Sequence, residues 1–183
     1  MNKHIRFLKN AVLDRKVGAV ARSSKYVVQN VLGRLTGPLE TVIEYGPGDG
    51  VMTKELLKKL PSSSRFFVVE SNAPFVKTLR QIEDGRLEVI EGKVQHLSPE
   101  DIQRFSGADL VLSSIPFSML KPGERLKVVS EVRKILKPGG RFIIFNQYSR
   151  LMFKPLRNNF NSVSASFEPR NIPPCFIFEA KKS

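Results

Sequence analysis

The sequence predicts an α/β fold, in which a mostly parallel β-sheet is covered by helices on both faces. Three observations support this class. Short β-branched or aromatic segments alternate with amphipathic segments along most of the chain. A glycine-rich turn joins the first strand to the helix that follows it. A Pro-Gly-Gly segment ends the last long helix before another strand, because proline cannot continue a helix and glycine supplies the turn.

The strand and helix patterns follow one another in a regular order. We predict an N-terminal helical segment at residues 1–35 and the α/β domain at residues 36–183. Strand patterns lie at 41–45, 65–70, 86–90, 108–113, 141–147, 160–167 and 175–180. Helical patterns lie at 51–60, 74–82, 98–105 and 122–136. This alternation is typical of a parallel sheet with crossover helices.

The N-terminal segment has its own character. The first 25 residues carry seven basic groups and one acid, Asp14. Apolar residues recur there at helical spacing, so residues 3–16 are predicted to form a basic amphipathic helix. Such a helix either lies in a membrane interface or packs against the core. A second helix is predicted from Ser24 to Leu35, before a Thr-Gly-Pro break.

Length, cysteine content and charge restrict the function classes. The 183 residues suffice for a single domain with a substantial core. The one cysteine, Cys175, excludes an internal disulfide framework and a multi-cysteine zinc site, so we expect a cytoplasmic location and no metal. No apolar stretch reaches the roughly 18 residues of a membrane-spanning helix, and the N-terminus lacks a secretory signal pattern.

The chain is strongly basic. Thirty Lys and Arg residues against seventeen Asp and Glu residues give a formal net charge of +13. A surface of this charge attracts polyanions, either nucleic acid or an anionic lipid leaflet. Net charge does not choose between these partners, and solubility alone would also account for it.

The most specific feature is the turn after the first strand, which reads Glu-Tyr-Gly-Pro-Gly-Asp-Gly over residues 44–50. Glycines at a strand-to-helix turn let the backbone approach a ligand closely. The leading acid, Glu44, suits a ligand that carries a cation or hydroxyl groups rather than a bare phosphate. No Gly-Lys-Ser/Thr sequence follows, and the G-x-G-x-G spacing differs from that of the dinucleotide fingerprint.

Three further loops follow the next strands, and in an open parallel sheet such loops meet at one edge. Glu70 ends the second strand, 22 residues beyond Gly48, where a carboxylate can accept both hydroxyls of a ribose. Residues 91–95 follow the third strand, and residues 113–117 follow the fourth. Four candidate ligand loops in this order predict a ligand site at the carboxyl edge of the sheet.

With its leading acid, the glycine turn resembles the first motif of the class I S-adenosylmethionine-dependent methyltransferases. The resemblance implies a Rossmann-like, mostly parallel seven-stranded sheet with an antiparallel last strand. Within this superfamily the chain is most similar to bacterial phospholipid N-methyltransferases, which methylate phosphatidylethanolamine toward phosphatidylcholine. The segments that carry this similarity are 7–10, 17–24, 113–116 and 136–142.

The resemblance also implies partners. The substrate would be a phospholipid, reached at an anionic membrane surface through the basic N-terminal helix, so the enzyme would be peripherally membrane-associated. Residues 150–157 mix basic and apolar groups, and they form either a second interfacial contact or a plain loop.

Two alternatives remain open. The ribosomal RNA adenine dimethyltransferases share the motif order, but their fourth-strand loop has Asn where this chain has Ser114, and we expect this chain to end near the last strand without their helical domain. RNA is therefore the alternative partner. The second alternative is a non-catalytic basic binding module, because Gly92-Lys93 replaces the Gly-Asp that many relatives use to hold adenine.

Site residues are implied by the resemblance. The cofactor S-adenosylmethionine would be held by Ser24, Glu44, Gly46, Gly48, Gly50, Glu70, Ser71, Val94, Gln95 and Ser113. In this assignment the glycines admit the backbone close to the cofactor, Glu44 organises the turn and Glu70 accepts from the ribose hydroxyls. The backbone of Val94 or the amide of Gln95 would contact adenine.

The acceptor side is less defined. A lipid amine must be neutral to react, and burial against apolar groups lowers its pKa. Tyr26 or Tyr148 could accept the proton, and His4 and His96 are weaker candidates. Phe117 and Tyr148 are the aromatic side chains best placed to hold the methylated cation.

Overall fold

The computed structural model describes residues 23–183. The helix predicted at residues 3–16 and His4 lie outside the described residues. In the described part the helices are α1 Lys25–Leu32, α2 Val51–Leu57, α3 Ala73–Leu79, α4 Pro99–Arg104, α5 Pro122–Ile135 and α6 Phe153–Arg157. The strands are β1 Thr41–Tyr45, β2 Arg65–Glu70, β3 Leu87–Glu91, β4 Ala108–Ser113, β5 Leu136–Gln147, β6 Ser162–Glu168 and β7 Cys175–Lys181. Single 3-10 turns occupy Val94–His96 and Phe117–Met119.

These strands form one sheet in the order β3-β2-β1-β4-β5-β7-β6. Strands β1 to β5 run parallel, and β7 pairs antiparallel with both β5 and β6. Strands β1 and β4 are buried along their whole length, as expected for central parallel strands that are covered on both faces. The predicted fold class is confirmed.

Two apolar clusters cover the two faces of the sheet. Neighbouring residues of β1 point to opposite faces: Ile43 packs in the cluster that contains α5, and Val42 packs in the cluster that contains α1 and α2. Helix α1 contributes Val27, Val28 and Val31. Fully burying a side chain of this kind stabilises the fold by roughly 1.5–3 kcal/mol. The helices therefore hold the sheet between them, and its carboxyl edge is left to carry loops.

The fifth strand is longer than predicted. It begins at Leu136, whereas the sequence indicated a turn over residues 136–140. Gly139 has a φ of 78°, and its N–H donates to the carbonyl of Lys182 at 2.8 Å. The N–H of Lys182 in turn donates to the carbonyl of Gly140 at 2.9 Å. Pairing with residues distant in sequence thus extends the strand through the Pro-Gly-Gly segment.

The helices predicted within residues 23–183 are confirmed in position, although several end earlier than predicted. Helix α2 ends at Leu57, three residues before the predicted end. A short helix, α6, begins at Phe153 inside the segment predicted to be an interfacial contact or a loop. Ser98 begins α4 because its hydroxyl accepts from the N–H of Asp101 at 3.0 Å. Within residues 23–183, no helix combines the length and the hydropathy needed to cross a membrane.

Candidate active site

A cavity of about 550 Å³ opens at the carboxyl edge of the sheet. It divides by topology into two halves. The β1–β3 half comes from the loops after the first three strands and includes Glu44, Gly46, Gly48, Asp49, Glu70, Ser71, Asn72, Lys93, Val94 and Gln95. The β4–β5 half includes Ser23, Ser114, Ile115, Pro116, Met119, Leu120, Phe145, Asn146 and Tyr148.

A larger and more open groove of about 700 Å³ lies between α5, α6 and the start of β6. Two arginines and three asparagines line it, together with Phe153, Phe160 and Val163. It contains no carboxylate, and none of the strand-end loops with motif residues reaches it. The cavity at the carboxyl edge is therefore the candidate active site.

The glycine turn adopts the left-handed backbone that its residues permit. Gly46, Gly48 and Gly50 have φ values of 71°, 59° and 81°. A Cβ on Gly46 would stand 2.7 Å from Cγ2 of Ile115, so a side chain there would clash with the loop after β4. A Cβ on Gly48 would meet nothing within 4 Å, since this residue faces the open cavity. Gly50 does not line the cavity; it begins α2 and packs close to Leu79.

Glu44 is the buried acid of the site. Its Oε2 accepts from the hydroxyl of Thr53 at 2.7 Å, while its Oε1 has no hydrogen-bond partner among the described residues. Burial raises the pKa of Glu44 to about 7, and the nearby charge of Glu70 adds to the increase, although the Thr53 bond opposes it. A buried carboxylate oxygen without a partner is suited to a cationic or hydrogen-bond-donating ligand.

Glu70 ties two loops together. Its Oε2 accepts from the N–H of Gly48 at 3.1 Å, and its Oε1 accepts from the N–H groups of Ser71 and Asn72, both at 2.8 Å. Each carboxylate oxygen can accept more than one bond, so hydroxyl groups of a ligand can still bind. Glu70 therefore fixes the glycine turn against the loop after β2.

The loop after β4 closes the site from the other side. The hydroxyl of Ser114 donates to the carbonyl of Gly46 at 2.5 Å, which fastens this loop to the glycine turn. Ser113, predicted to bind the cofactor, is fully buried behind this loop; it does not line the cavity, and its hydroxyl has no partner among the described residues. The adjacent serine occupies the cavity wall because successive residues of a strand point in opposite directions.

Three other predicted site residues lie elsewhere. Phe117 is fully buried in the core cluster on the α5 face, so its ring cannot hold a cation in the cavity. Tyr26 lies outside the cavity lining, with the guanidinium of Arg170 4.5 Å from its ring centroid. Ser24 caps α1 by accepting from the N–H of Val27, and Ser23 lines the cavity instead. Their predicted roles in the cavity do not fit this structure.

Tyr148 does line the cavity, but its chemistry differs from the prediction. Burial raises the pKa of Tyr148 to about 12, and proximity to Cys175 contributes to the increase. The phenol is therefore protonated at neutral pH and acts as a hydrogen-bond donor rather than as a base. Neither of the other predicted bases in the described chain, Tyr26 and His96, lines the cavity.

Asn146 is a cavity residue that the sequence did not reveal. It has a φ of 56°, and within residues 23–183 it is the one non-glycine residue with a positive φ. Its Nδ2 donates to the hydroxyl of Ser23 at 2.9 Å. The pairing of β5 with β7 is irregular between Ile144 and Gln147, which frees this residue to turn toward the cavity. Strained backbone of this kind is concentrated at functional sites.

Comparison with known proteins identifies the family. A family model described as a methyltransferase domain matches residues 42–140, which span β1 to the start of β5. The chain belongs to the methyltransferases.

Among curated proteins, it is 30% identical to an ornithine lipid N-methyltransferase of Singulisphaera acidiphila over 136 residues, which are 73% of this chain and 71% of that protein. It is 31% identical to ribosomal RNA small subunit methyltransferase A of Caulobacter vibrioides over 86 residues. These cover 45% of this chain and 31% of that protein, so the chain spans about a third of that relative's length.

Solved structures show the same fold. The N-methyltransferase NodS from Bradyrhizobium japonicum, in complex with S-adenosyl-L-homocysteine, superimposes with a TM-score of 0.71 at 12% identity and covers 99% of both chains. A precorrin-6y C5,15-methyltransferase from Geobacter metallireducens superimposes with a TM-score of 0.69 at 17% identity, over 90% of this chain and 92% of the other. This chain is a class I S-adenosylmethionine-dependent methyltransferase.

The β1–β3 half of the cavity fits the cofactor of such a methyltransferase. S-adenosylmethionine carries an ammonium group, a sulfonium and ribose hydroxyls. Oε1 of Glu44 is a buried acceptor that has no partner within residues 23–183, and the open side of Gly48 leaves room for close backbone contact. The carboxylate of Glu70 stands at the neighbouring strand end. These residues offer acceptors for a cation and for hydroxyl groups.

Proposed function

We propose that this methyltransferase methylates the primary amine of an acyl-lipid head group at a membrane surface, with phosphatidylethanolamine as the first candidate. The observation that carries the proposal is the low polarity of the side chains that line the β4–β5 half of the cavity. Its lining in the described part of the chain is apolar or neutral, and Tyr148, the one titratable side chain among those residues, stays protonated at neutral pH. Such a lining desolvates an amine and lowers its pKa.

The proposed mechanism relies on positioning. S-adenosylmethionine, when bound, supplies an already activated methyl group. Glu44, Gly48 and Glu70 would hold it from the β1–β3 half, while Ile115 and Met119 would exclude water around the acceptor amine. Aligned reactants can lower a barrier by roughly 7–11 kcal/mol. The head-group ammonium would release its proton to bulk water as it enters the apolar half, so the acceptor nitrogen is neutral when it reacts and no dedicated base is needed there.

Two further observations support a lipid acceptor. The relative from Singulisphaera acidiphila is an ornithine lipid N-methyltransferase, which also acts on an acyl-lipid amine according to its name. The basic segment that precedes Ser23 has the composition expected for contact with an anionic leaflet.

RNA adenine remains the alternative acceptor, because several relatives are ribosomal RNA methyltransferases. One contact favours the lipid. Ser114 occupies the position where the RNA enzymes are expected to have Asn, and its hydroxyl is engaged with the carbonyl of Gly46. Because this hydroxyl donates its one hydrogen there, it offers an adenine amino group only an acceptor oxygen, on a side chain shorter than Asn and held against the glycine turn.

The test is transfer of a labelled methyl group from S-adenosylmethionine by the full chain. We expect label in phosphatidylethanolamine vesicles, more when anionic lipid is present, and none in ribosomal RNA. Ornithine lipid is assayed in parallel to decide between the two lipid amines. Labelled RNA with unlabelled lipid would overturn the proposal. Calorimetry without detectable cofactor binding would instead favour the non-catalytic binding module.

A further inference from the structure

We propose that five chain segments around the mouth of the cavity form a docking surface for an anionic lipid bilayer. The inference rests on the proposed lipid acceptor, and it names the surface that would bring the cavity to the lipid. We call these segments the rim segments: 23–26, 92–95, 114–121, 148–152 and 169–174.

The topology places all of them at one edge of the sheet. Three rim segments directly follow the carboxyl ends of β3, β4 and β5. The segment 169–174 joins β6 to β7 at the same edge, because Phe176 of β7 pairs with Gln147 at the end of β5. The segment 23–26 is held there by two bonds, from Asn146 to Ser23 and from the N–H of Ser24 to Asn171 at 3.3 Å.

The rim segments carry charge of one sign. Each contributes one exposed cation and no carboxylate; the cations are Lys25, Lys93, Lys121, Arg150 and Arg170. Arg170 is paired with the buried Glu168, whereas Lys25, Lys93 and Arg150 form no ion pair with a carboxylate of residues 23–183. Two acids lie near these segments: Asp49 of the glycine turn lines the cavity, and Glu91, directly before the segment 92–95, is exposed and paired with Arg80. Each Lys or Arg near an anionic leaflet adds to binding.

Three rim segments also expose a large apolar side chain. Met119 is 54% exposed, Leu151 is 39% exposed and Ile172 is 84% exposed. In the rest of the described chain, the exposed large hydrophobic residues are Leu126 on α5 and Phe167 on β6. Met119 also lines the cavity, so the apolar part of the rim continues into the proposed acceptor half.

Aromatic rings hold some of these cations at the rim. The Lys25 ammonium lies 5.3 Å from the ring centroid of Tyr26, which also contacts Arg170. The guanidinium of Arg150 lies 5.5 Å from the ring of Phe176. Aromatic side chains beside basic groups suit the boundary between lipid head groups and acyl chains. Tyr26 therefore belongs to the rim segments, where it holds cations, and has no role in proton transfer.

The N-terminal segment adds further basic charge in the sequence directly before the first rim segment. Residues 1–22 contain six Lys and Arg residues and one acid. They join the described fold at Ser23, which is itself a cavity residue. The additional basic charge is thus connected to the rim. A bilayer uses both the cations and the exposed apolar side chains, whereas a nucleic-acid backbone would use the cations alone.

Insertion of the rim can be measured directly with an environment-sensitive fluorophore. Cys175 is buried, and burial raises its pKa to about 11, so an introduced surface cysteine is labelled selectively. The probe is placed by Ile172→Cys in the full chain, and by Leu126→Cys as the matched control. We expect a blue shift at position 172, but not at 126, with vesicles of phosphatidylcholine and phosphatidylglycerol. A water-like spectrum at position 172 while the protein sediments with the vesicles would overturn the inference.

Loss-of-function variants provide the second measurement. We expect Leu151→Ser combined with Ile172→Ser to lower vesicle partitioning about tenfold. Lys25→Glu should lower it about fivefold or more. The matched controls are Leu126→Ser and Lys59→Glu, the latter on an exposed lysine beyond the far end of α2. Equal partitioning of rim and control variants would contradict the docking surface, as would rim variants that lose RNA binding instead.

Methyl transfer to detergent-dispersed lipid separates this inference from the proposed function. If both are correct, the rim variants keep activity on dispersed lipid and lose it on vesicles. If the docking surface is wrong, the rim variants match the unmodified chain on vesicles. If the lipid acceptor is wrong, no variant labels lipid in either form, even where vesicle binding depends on the rim.

Discussion

The two halves of the cavity are built by different means. In the β1–β3 half, a glycine turn and two carboxylates present backbone groups and charge: Gly48 faces open space, and Glu70 binds three backbone N–H groups. In the β4–β5 half, neutral side chains such as Ile115, Met119 and Asn146 form the wall. The first half is suited to a constant, polar cofactor. The second can change its acceptor through a few side-chain substitutions without altering the turn.

The largest effect is expected from Glu70→Ala, because it removes the acceptor for the N–H groups of Gly48, Ser71 and Asn72. Hydrogen bonds to a charged group contribute roughly 1.5–3 kcal/mol each. We expect the affinity for S-adenosylmethionine to fall about a hundredfold, measured by calorimetry. The control is Glu91→Ala, on the exposed acid that ends β3. Unchanged affinity would show that the turn is fixed without Glu70.

Glu44→Gln should separate stability from cofactor binding. The pKa of Glu44 is about 7 in the folded state, compared with 4.5 for an ordinary glutamate. Since the folded pKa is raised, stability is present at low pH and decreases as pH rises from about 4.5 to 7. The full loss is on the order of 3 kcal/mol in the cofactor-free protein. Glutamine can still accept from Thr53 and has no charge to bury.

The measurement for this variant is urea unfolding of the cofactor-free protein across that pH range. We expect the Glu44→Gln protein to lose the pH slope and to be more stable than the unmodified chain at mildly alkaline pH. Its cofactor affinity should fall about tenfold, because the unpartnered anionic acceptor is gone. Glu83→Gln, on an exposed acid, is the control and should keep the slope. The same slope in both variants would contradict the role of Glu44.

Asn146→Gly probes the β4–β5 half. Glycine adopts a positive φ without strain, so the variant removes the amide and its bond to Ser23 while the backbone is kept. We expect about a tenfold loss in kcat/KM for the acceptor and unchanged cofactor affinity. Ser23→Ala removes the other partner of the bond, and the double variant tests whether the two losses are coupled. A loss of cofactor affinity would show that Asn146 also affects the β1–β3 half, and would contradict the division of the cavity into two halves.

The smallest effect is expected from Tyr148→Phe. With a pKa of about 12 the phenol does not take a proton from the acceptor near neutral pH. We expect kcat to change by less than about threefold and the pH-rate profile to keep its shape. A profile that loses the limb on which the rate rises with pH would identify Tyr148 as the base after all.

Much of the β1–β3 half could be predicted from the sequence. The glycine turn directly follows the first strand pattern, and Glu44 and Glu70 lie near the ends of the first two. Such short spacings can be read directly from the sequence. The sequence assigns Gly50 to the cofactor, but Gly50 packs against Leu79. Local patterns do not contain this contact, because the two residues lie far apart in the chain.

Less of the β4–β5 half could be predicted from the sequence. Phe117 follows β4 and Asn146 lies near the end of β5, yet Phe117 is buried in the core and Asn146 turns into the cavity. The direction of each side chain depends on pairing with β7 and on packing by α5, which no local pattern contains. The longer β5 has the same cause, since its first residues pair with Lys182.

By itself the sequence determined the fold class, the order of the strands along the chain and the position of the glycine turn, because hydrophobic periodicity and glycine spacing are local properties. The tertiary structure decided which strand-end side chains share the cavity, which buried carboxylate oxygen lacks a hydrogen-bond partner among residues 23–183, and which segments lie together at the carboxyl edge of the sheet. These features arise where segments distant in sequence meet at one edge of the sheet, so they follow from the packing and from the sheet order β3-β2-β1-β4-β5-β7-β6.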